Sequence, residues 1–153
     1  MANTFTQLYI QFVFAVEHRD RLIKSFFKEE LHKYITGIIQ NKKNKLLAIN
    51  SMPDHIHIFI GLNPTLSISD LVRDVKIAST DFINCKKWSN GKYNWQKGFG
   101  AFSYSQSQIS KVISYINNQE SHHRVKTFRE EYTNMLDAFA IKYDNKFLFE
   151  WLN

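Results

Sequence analysis

The chain has 153 residues, the length of a single domain, since domains commonly span about 100–200 residues. Its 44% hydrophobic and 15% aromatic content excludes a disordered chain, and its single cysteine excludes a disulfide-stapled scaffold or a thiolate metal cluster. A formal charge of +6, from 20 lysine and arginine against 14 aspartate and glutamate residues, favours a polyanionic partner such as nucleic acid.

The sequence pattern also predicts the cellular setting. No apolar run approaches the roughly 18 residues that a membrane span needs, and Met1 to Gln7 lacks the pattern of a signal peptide. A lone cysteine, Cys85, suits a reducing compartment. We therefore expect a cytoplasmic protein with no membrane partner and one domain over residues 1–153.

The first half of the chain alternates strand and helix patterns. Thr6 to Val16 alternates in polarity as a half-buried strand does, and Phe27 to Ile38 has apolar residues at helical spacing. Leu46 to Met52 and His55 to Leu62 then predict two strands. Because the tight connection Pro53-Asp54 joins them, we expect an antiparallel hairpin, with Asp54 primarily a turn residue and secondarily a contact of a neighbouring site.

The next segments complete a recognisable order of elements. Ser67 and Asp70 resemble a capping box that opens a second helix. Asn90-Gly91 marks a turn, and Lys92 to Tyr104 predicts a fourth, irregular strand that two glycines interrupt. The order βαββαβ predicts an α+β, ferredoxin-like (split βαβ) fold, in which helices cover one face of an antiparallel sheet and the other face is free for function.

Two more helices and an apolar tail follow this unit. Gln106 to about His123 predicts a third helix, and a capping box from Thr127 to Glu130 begins a fourth. The tail from Phe147 to Trp151 is apolar, so we expect it to pack on the body of the protein or on a partner chain.

The third predicted strand carries a candidate metal site. His55 and His57 share a face of the strand, because side chains at i and i+2 project together. Two imidazoles form half of a site for a divalent transition ion. Taken alone, a His-x-His pair is more often two exposed strand histidines, so this pattern leaves both interpretations open.

The third predicted helix carries a candidate nucleophile. Tyr115, Gln119 and His122 fall at i, i+4 and i+7, on one polar edge beside the apolar stripe of the helix. Tyr115 lies roughly 110° from the centre of that stripe, so its hydroxyl can face a cleft. An activated phenolate is a competent covalent nucleophile, although a partly exposed helix tyrosine without such a role is the commoner case. For His122 and His123, a solvated helix end is the simpler interpretation.

Lysines and aromatic residues around the predicted turn suit phosphate contact and base stacking, and two cations on the second predicted helix and a histidine on the third are further candidates for DNA contact. The candidate DNA-binding residues are Arg73, Lys76, Lys86, Lys87, Lys92, Trp95, Lys97 and His122. A place in the core is the alternative for Trp95, and a solvated helix face is the alternative for Arg73 and Lys76.

Four segments together resemble one family, the single-tyrosine HUH transposases of small bacterial insertion sequences and their repeat-associated relatives. They are Met52-Pro53-Asp54-His55-Ile56-His57-Ile58, Gln96-Lys97-Gly98-Phe99-Gly100-Ala101-Phe102-Ser103, Tyr115-Ile116-Asn117-Asn118-Gln119-Glu120-Ser121-His122-His123 and Phe128-Arg129-Glu130-Glu131-Tyr132. They occur in the family's order, from Tyr9 to about Tyr132, which makes the resemblance far more specific than His-x-His alone.

The resemblance implies a transposase that cuts and rejoins single-stranded DNA. His55 and His57 match the histidines that hold a divalent ion, Mg²⁺ or Mn²⁺, and Gln119 matches the third ligand. Tyr115 matches the nucleophile that forms a 5′-phosphotyrosine and leaves a free 3′-hydroxyl. The family also implies hairpin-bearing element ends as substrate, a homodimer with composite active sites, and association with the nucleoid while DNA is bound.

Two other classes of protein share parts of the pattern. A histidine-triad nucleotide hydrolase has a third histidine where Phe59 stands here, and its absence argues against that class. A non-catalytic module for single-stranded DNA would have the same shape, but the histidine pair and Tyr115 argue against an inactive relative.

Overall fold

The computed structural model describes residues 3–152 and contains a four-stranded antiparallel sheet in the order β2-β3-β1-β4. The strands are β1 (Tyr9–Ala15), β2 (Lys45–Met52), β3 (His55–Gly61) and β4 (Gly100–Tyr104). The helices are α1 (Ser25–Asn41), α2 (Ile68–Lys86), α3 (Ile109–Asn117), α4 (Gln119–His122) and α5 (Phe128–Ala138). This topology confirms the predicted ferredoxin-like α+β fold.

The strand β3 is buried along nearly its whole length because it lies between β1 and β2 and is covered on both faces. Ile56, Ile58 and Ile60 share one face, and His55, His57 and Phe59 share the other. The first face joins the main core. The second face belongs to the candidate site.

The helices α1 and α2 cover the isoleucine face of the sheet. Leu31 and Ile35, one turn apart on α1, are fully buried and join the same core as Val75 of α2. The start of α2 is capped as predicted, since the Ser67 hydroxyl accepts a hydrogen bond from the backbone N–H of Asp70 at 3.3 Å.

The opposite face is only partly free. Val112 and Ile116 of α3 pack against Ala48 of β2 and Phe59 of β3 in a second, smaller apolar cluster. The helix α3 therefore covers one half of this face, and its polar edge borders the histidines. The fully buried Phe59 fills space that a triad histidine would need, which agrees with the sequence argument against a histidine-triad enzyme.

Two predicted elements differ from the structure. The fourth strand begins only at Gly100, because Gly98 adopts a positive φ of 83° and residues 92–99 turn Tyr93 and Trp95 into the core. The long third helix is interrupted at Asn118, where φ is −102° and ψ is 25°, so that Gln119 begins the separate short helix α4.

The helix α5 and the tail pack together beside the sheet. Phe149 lies 5.8 Å from Phe128 and 5.0 Å from Tyr132 between ring centroids, which confirms that the tail packs on the body of the chain. Phe147, at 79% exposure, does not take part. Among residues 3–152, no helix is both long and apolar enough to cross a membrane.

Candidate active site

The two histidines of β3 are fully buried, and each is held by a hydrogen bond at its Nδ1 atom. Nδ1 of His55 lies 2.7 Å from Oδ1 of Asp54, and Nδ1 of His57 lies 2.7 Å from Oε1 of Gln11. Because both partners are acceptors, each Nδ1 carries a proton and donates it. The two Nε2 atoms are then available as ligands, and this arrangement is typical of metal-binding histidines.

Both Nε2 atoms converge on one carboxylate. Oε1 of Glu131, on α5, lies 3.2 Å from Nε2 of His55 and 3.2 Å from Nε2 of His57. The three side chains are buried, and their ligand atoms all lie within 4.8 Å of one another. Two imidazoles and a carboxylate form a donor set that a divalent cation accepts, so this triad fits a metal ion.

Gln119 and His123 complete the surroundings of Glu131. The Gln119 amide donates from Nε2 to Oε2 of Glu131 at 2.9 Å, and its Oε1 lies 3.3 Å from Nε2 of His55. His123 brings its own Nε2 to 3.1 Å from Oε1 of Glu131. The buried carboxylate is thus contacted on both oxygens.

Tyr115 reaches the same carboxylate from α3. Its hydroxyl donates a hydrogen bond to Oε2 of Glu131, while His122 stacks on its ring with centroids 4.4 Å apart. Tyr115 is half-buried and faces a cleft of about 490 Å³ between α3 and α5, which Lys111 and Lys126 also line. Tyr115 thus lines a cleft, as its helical position predicts, and its hydroxyl is directed at Glu131.

Local packing fixes the two helices that supply these groups. On the α3 side, the Asn50 side chain donates to the carbonyl of Ile116 at 2.8 Å. On the α5 side, Phe128 stacks on the His55 ring at 3.8 Å, and the Thr127 hydroxyl caps the helix by accepting from the backbone N–H of Glu130 at 3.2 Å. The cluster is held from three directions, by β3, α3 and α5.

Burial and charge act against each other on the carboxylates. Burial alone would raise the pKa of Glu131, but contacts with His57, His123 and His55 outweigh it and hold that pKa well below its usual range. Likewise, burial of Asp54 opposes the hydrogen bond from His55, and the net effect lowers the pKa of Asp54. Both groups are therefore ionised at neutral pH.

The histidines and the tyrosine respond to these charges in different directions. Burial opposes protonation of His55, but its hydrogen bonds to Asp54 and Glu131 raise its pKa above 6.5, whereas burial lowers the pKa of His57 below 6.5 despite Glu131. Burial and the neighbouring Glu131 charge raise the pKa of Tyr115 well above its usual value. Tyr115 is thus a neutral phenol here, and its use as a nucleophile requires added positive charge or a base.

The structure brings four predicted site residues together in one chain: His55, His57, Tyr115 and Gln119. Asp54 lies in the turn between β2 and β3, as expected, and its carboxylate also holds the His55 ring, which is the second of the two roles expected for it. His123 corrects the expectation of a solvated helix end, since it contacts Glu131.

Of the eight candidate DNA-binding residues, His122 lies at this site, where it stacks on Tyr115 and lines the cleft, and the other seven lie elsewhere. Trp95 is 3% exposed and donates from Nε1 to Ser79, so the structure contradicts a base-stacking role and favours the alternative of a core residue. Lys76 donates to the carbonyls of Gln96 and Gly98, and Arg73 pairs with two aspartates of its own helix. Four further lysines are exposed in or after α2, which covers the other face of the sheet: Lys86, Lys87, Lys92 and Lys97.

Sequence reasoning missed Glu131, Gln11 and the two cleft lysines as site residues. Glu131 follows Phe128 by three positions and precedes Met135 by four, so it lies on the apolar face of α5. An acidic residue on a buried helix face is the signal that could have identified it. Gln11, Lys111 and Lys126 carry no comparable signal.

Comparisons with known proteins point to one family. A model of the family described as IS200-like transposases matches residues 4–119. The chain is similar to the ISDra2 transposase TnpA of Deinococcus radiodurans, with 21% identity over 118 residues that cover 74% of this chain and 84% of that protein.

Two solved structures share the fold. One is a candidate transposase from Deinococcus radiodurans, with a TM-score of 0.60, 21% identity and coverage of 78% of this chain and 95% of that one. The other is a REP-associated tyrosine transposase bound to a REP hairpin, with a TM-score of 0.60, 16% identity and coverage of 80% and 73%. At these identities the likeness concerns the fold alone.

Proposed function

Because the chain belongs to the family of IS200-like transposases, we propose that it cuts and rejoins single-stranded DNA at insertion-sequence ends through Tyr115. The observation that carries this proposal is the meeting of a tyrosine hydroxyl and two histidine Nε2 atoms on a single buried carboxylate. A nucleophile beside a cluster that fits a metal ion is an arrangement suited to phosphoryl transfer.

The proposed step begins with attack of the Tyr115 oxygen on a DNA phosphorus. The bond from Tyr115 to phosphorus forms as the bond from phosphorus to the 3′ oxygen breaks, which leaves a 5′-phosphotyrosine and a free 3′-hydroxyl. The phenol gives its proton to solvent water, and the departing 3′ oxygen takes up a proton from solvent. Attack by a 3′-hydroxyl on the phosphotyrosine reverses these changes, so strands are rejoined without an external energy source.

His55 and His57 would hold the divalent ion, Mg²⁺ or Mn²⁺, on their Nε2 atoms, with Gln119 as the further ligand that the family resemblance implies. When bound, such an ion supplies positive charge that neutralises phosphate oxygens in the transition state. Glu131 accepts the hydrogen bond from Tyr115 and so fixes the direction of its hydroxyl.

The cleft between α3 and α5 is the proposed path of the DNA strand to Tyr115. Lys111 and Lys126 line it and carry the charge that phosphate groups require, and Gln108 and Asn134 offer hydrogen bonds. Hairpin-bearing element ends remain the proposed substrate, and the REP hairpin bound by a protein of similar fold supports that choice.

The site is proposed to work within one chain. Tyr115 contacts the carboxylate that faces the histidines of its own subunit, so a tyrosine from a partner is not needed to complete the site. This arrangement departs from the composite site that the resemblance implies. Homodimerisation and association with the nucleoid during DNA binding stay predictions.

Formation of a covalent adduct tests the proposed function. The protein is incubated with Mn²⁺ or Mg²⁺ and single-stranded oligonucleotides bearing candidate element ends, and a denaturing gel detects an adduct. We expect Tyr115→Phe to abolish the adduct and to leave DNA binding intact, and His57→Ala to abolish it through loss of the metal. DNA binding without an adduct on cognate ends would instead favour a non-catalytic binding module.

A further inference from the structure

We infer that Glu131 is a carboxylate ligand of the divalent ion and that, through its second oxygen, it also positions Tyr115. The residue lies on α5, beyond residues 4–119 that match the family model. The inference rests on the proposed function, because it assigns the third ligand of the same metal site to Glu131 in place of Gln119.

The two Glu131 oxygens have different neighbours: Oε1 faces the histidines, including His123 at 3.1 Å, and Oε2 faces Tyr115 and Gln119. Oε1 is 3.2 Å from Nε2 of both His55 and His57. Oε2 accepts hydrogen bonds from the hydroxyl of Tyr115 and from the amide of Gln119. One carboxylate therefore joins the ligand atoms of the histidines to the attacking oxygen.

Burial makes a cation at this position favourable. Glu131 is 3% exposed, and an ionised carboxylate is costly to bury unless it is paired with positive charge. The Nδ1 protons of His55 and His57 are committed to Asp54 and Gln11, so when an incoming cation replaces the Nε2 protons, two imidazole lone pairs and Oε1 face one point. A divalent ion would satisfy these three acceptors together.

Glu131 is a better ligand here than Gln119. A carboxylate carries a full negative charge, whereas the oxygen of an amide carries only a partial one, and hard divalent cations prefer the former. The Gln119 N–H group already donates to Oε2 of Glu131, which fixes the rotation of the carboxylate. In this arrangement Gln119 is a positioning residue for Glu131.

Mn²⁺ binding without DNA separates these roles. Electron paramagnetic resonance measures the free Mn²⁺ at equilibrium with wild-type protein, Glu131→Gln, Gln119→Ala and Glu130→Gln. Glu130 is the matched control, because it is the preceding residue on the same helix and is exposed. Circular dichroism verifies that each variant is folded.

We expect Glu131→Gln to weaken Mn²⁺ binding about tenfold or more, Gln119→Ala to weaken it less, and Glu130→Gln to leave it unchanged. If Glu131→Gln does not fold, Glu131→Asp keeps the charge on a shorter side chain and is expected to weaken Mn²⁺ binding relative to Glu130→Asp.

Three results would overturn the inference. In the first, Glu131→Gln retains wild-type affinity while Gln119→Ala loses it, which would return the ligand role to Gln119 and leave the proposed function intact. In the second, Glu131→Asp and Glu130→Asp bind Mn²⁺ equally. In the third, the wild-type protein binds no Mn²⁺, which would also remove the metal from the proposed function.

Discussion

At the scale of single residues, the site depends on hydrogen bonds that orient its ligands. Sequence reasoning could place His55 and His57 on one strand face because strand periodicity is fixed at two residues. It could not find Glu131, because that contact depends on how α5 packs across 74 residues of chain separation from His57. Long-range packing of this kind leaves little trace in local sequence patterns.

Asp54 provides a test of this orienting role. Substitution Asp54→Ala removes the acceptor for Nδ1 of His55, so the ring loses its fixed tautomer and direction. We expect Mn²⁺ affinity to fall about 10–100-fold, as measured by electron paramagnetic resonance. Asp20→Ala, in the turn that precedes α1, is the control and should bind Mn²⁺ as the wild type does. Equal affinities for the two variants would contradict the orienting role.

His32, which lies outside the site, makes the stability of the folded protein depend on pH. Burial, with a smaller contribution from Lys28, lowers the pKa of His32 from 6.5 to about 4. Between these values the unfolded chain binds a proton that the folded chain does not, so stability falls as pH falls from 6.5 towards 4. The pKa difference limits this loss to about 3 kcal/mol.

Urea denaturation at pH 7 and pH 4.5 measures that loss. We expect His32→Gln to lose less stability between the two pH values than the wild type does. The exposed His18 is the control, and His18→Gln should follow the wild type. A loss in His32→Gln as large as that of the wild type would show that His32 is not responsible.

At the scale of elements, the sequence patterns correctly predicted the regular strands and the start of a helix. The strands β2 and β3 and the cap of α2 occur where the alternation and the Ser67 pattern place them. The failures lie where backbone geometry rather than hydrophobic period decides the structure. The positive φ of Gly98 moves the start of the fourth strand to Gly100. The backbone at Asn118 divides the third predicted helix into α3 and α4.

Gly100 tests how closely α5 approaches the sheet, and Gly37, inside α1, is the comparison. An added Cβ at Gly100 would lie 2.6 Å from Oη and 2.8 Å from Cε1 of Tyr132, whereas at Gly37, inside α1, it would meet nothing within 4 Å. We expect Gly37→Ala to stabilise the protein by about 0.5–1 kcal/mol, and Gly100→Ala to destabilise it by about 1–3 kcal/mol through overpacking. Chemical denaturation measures both, and a stabilising Gly100→Ala would contradict the packing described.

At the scale of the whole molecule, the tail, α5 and the sheet form one connected support for the site. Gln96 donates to the carbonyl of Glu150 at 2.8 Å and accepts from its backbone N–H at 2.7 Å. Phe149 of the tail packs on Phe128, which stacks on His55. The sequence indicated an apolar tail that packs, but not that it buttresses the helix carrying Glu131.

Mixed subunits test whether the site is complete within one chain. Tyr115→Phe and His57→Ala are co-expressed with different tags, and complexes that carry both tags are isolated where they form. A site built from two subunits would be restored in such a pair, because each variant supplies what the other lacks. We expect no adduct above that of the separate variants, and restored adduct formation would contradict the one-chain arrangement.

The most direct measurement is mass spectrometry of the protein after reaction with single-stranded element ends and Mn²⁺. We expect a DNA fragment attached through its 5′ phosphate to the oxygen of Tyr115, together with a released strand that ends in a 3′-hydroxyl. Attachment at a different residue, or cleaved DNA with a free 5′ phosphate and unmodified Tyr115, would contradict the account.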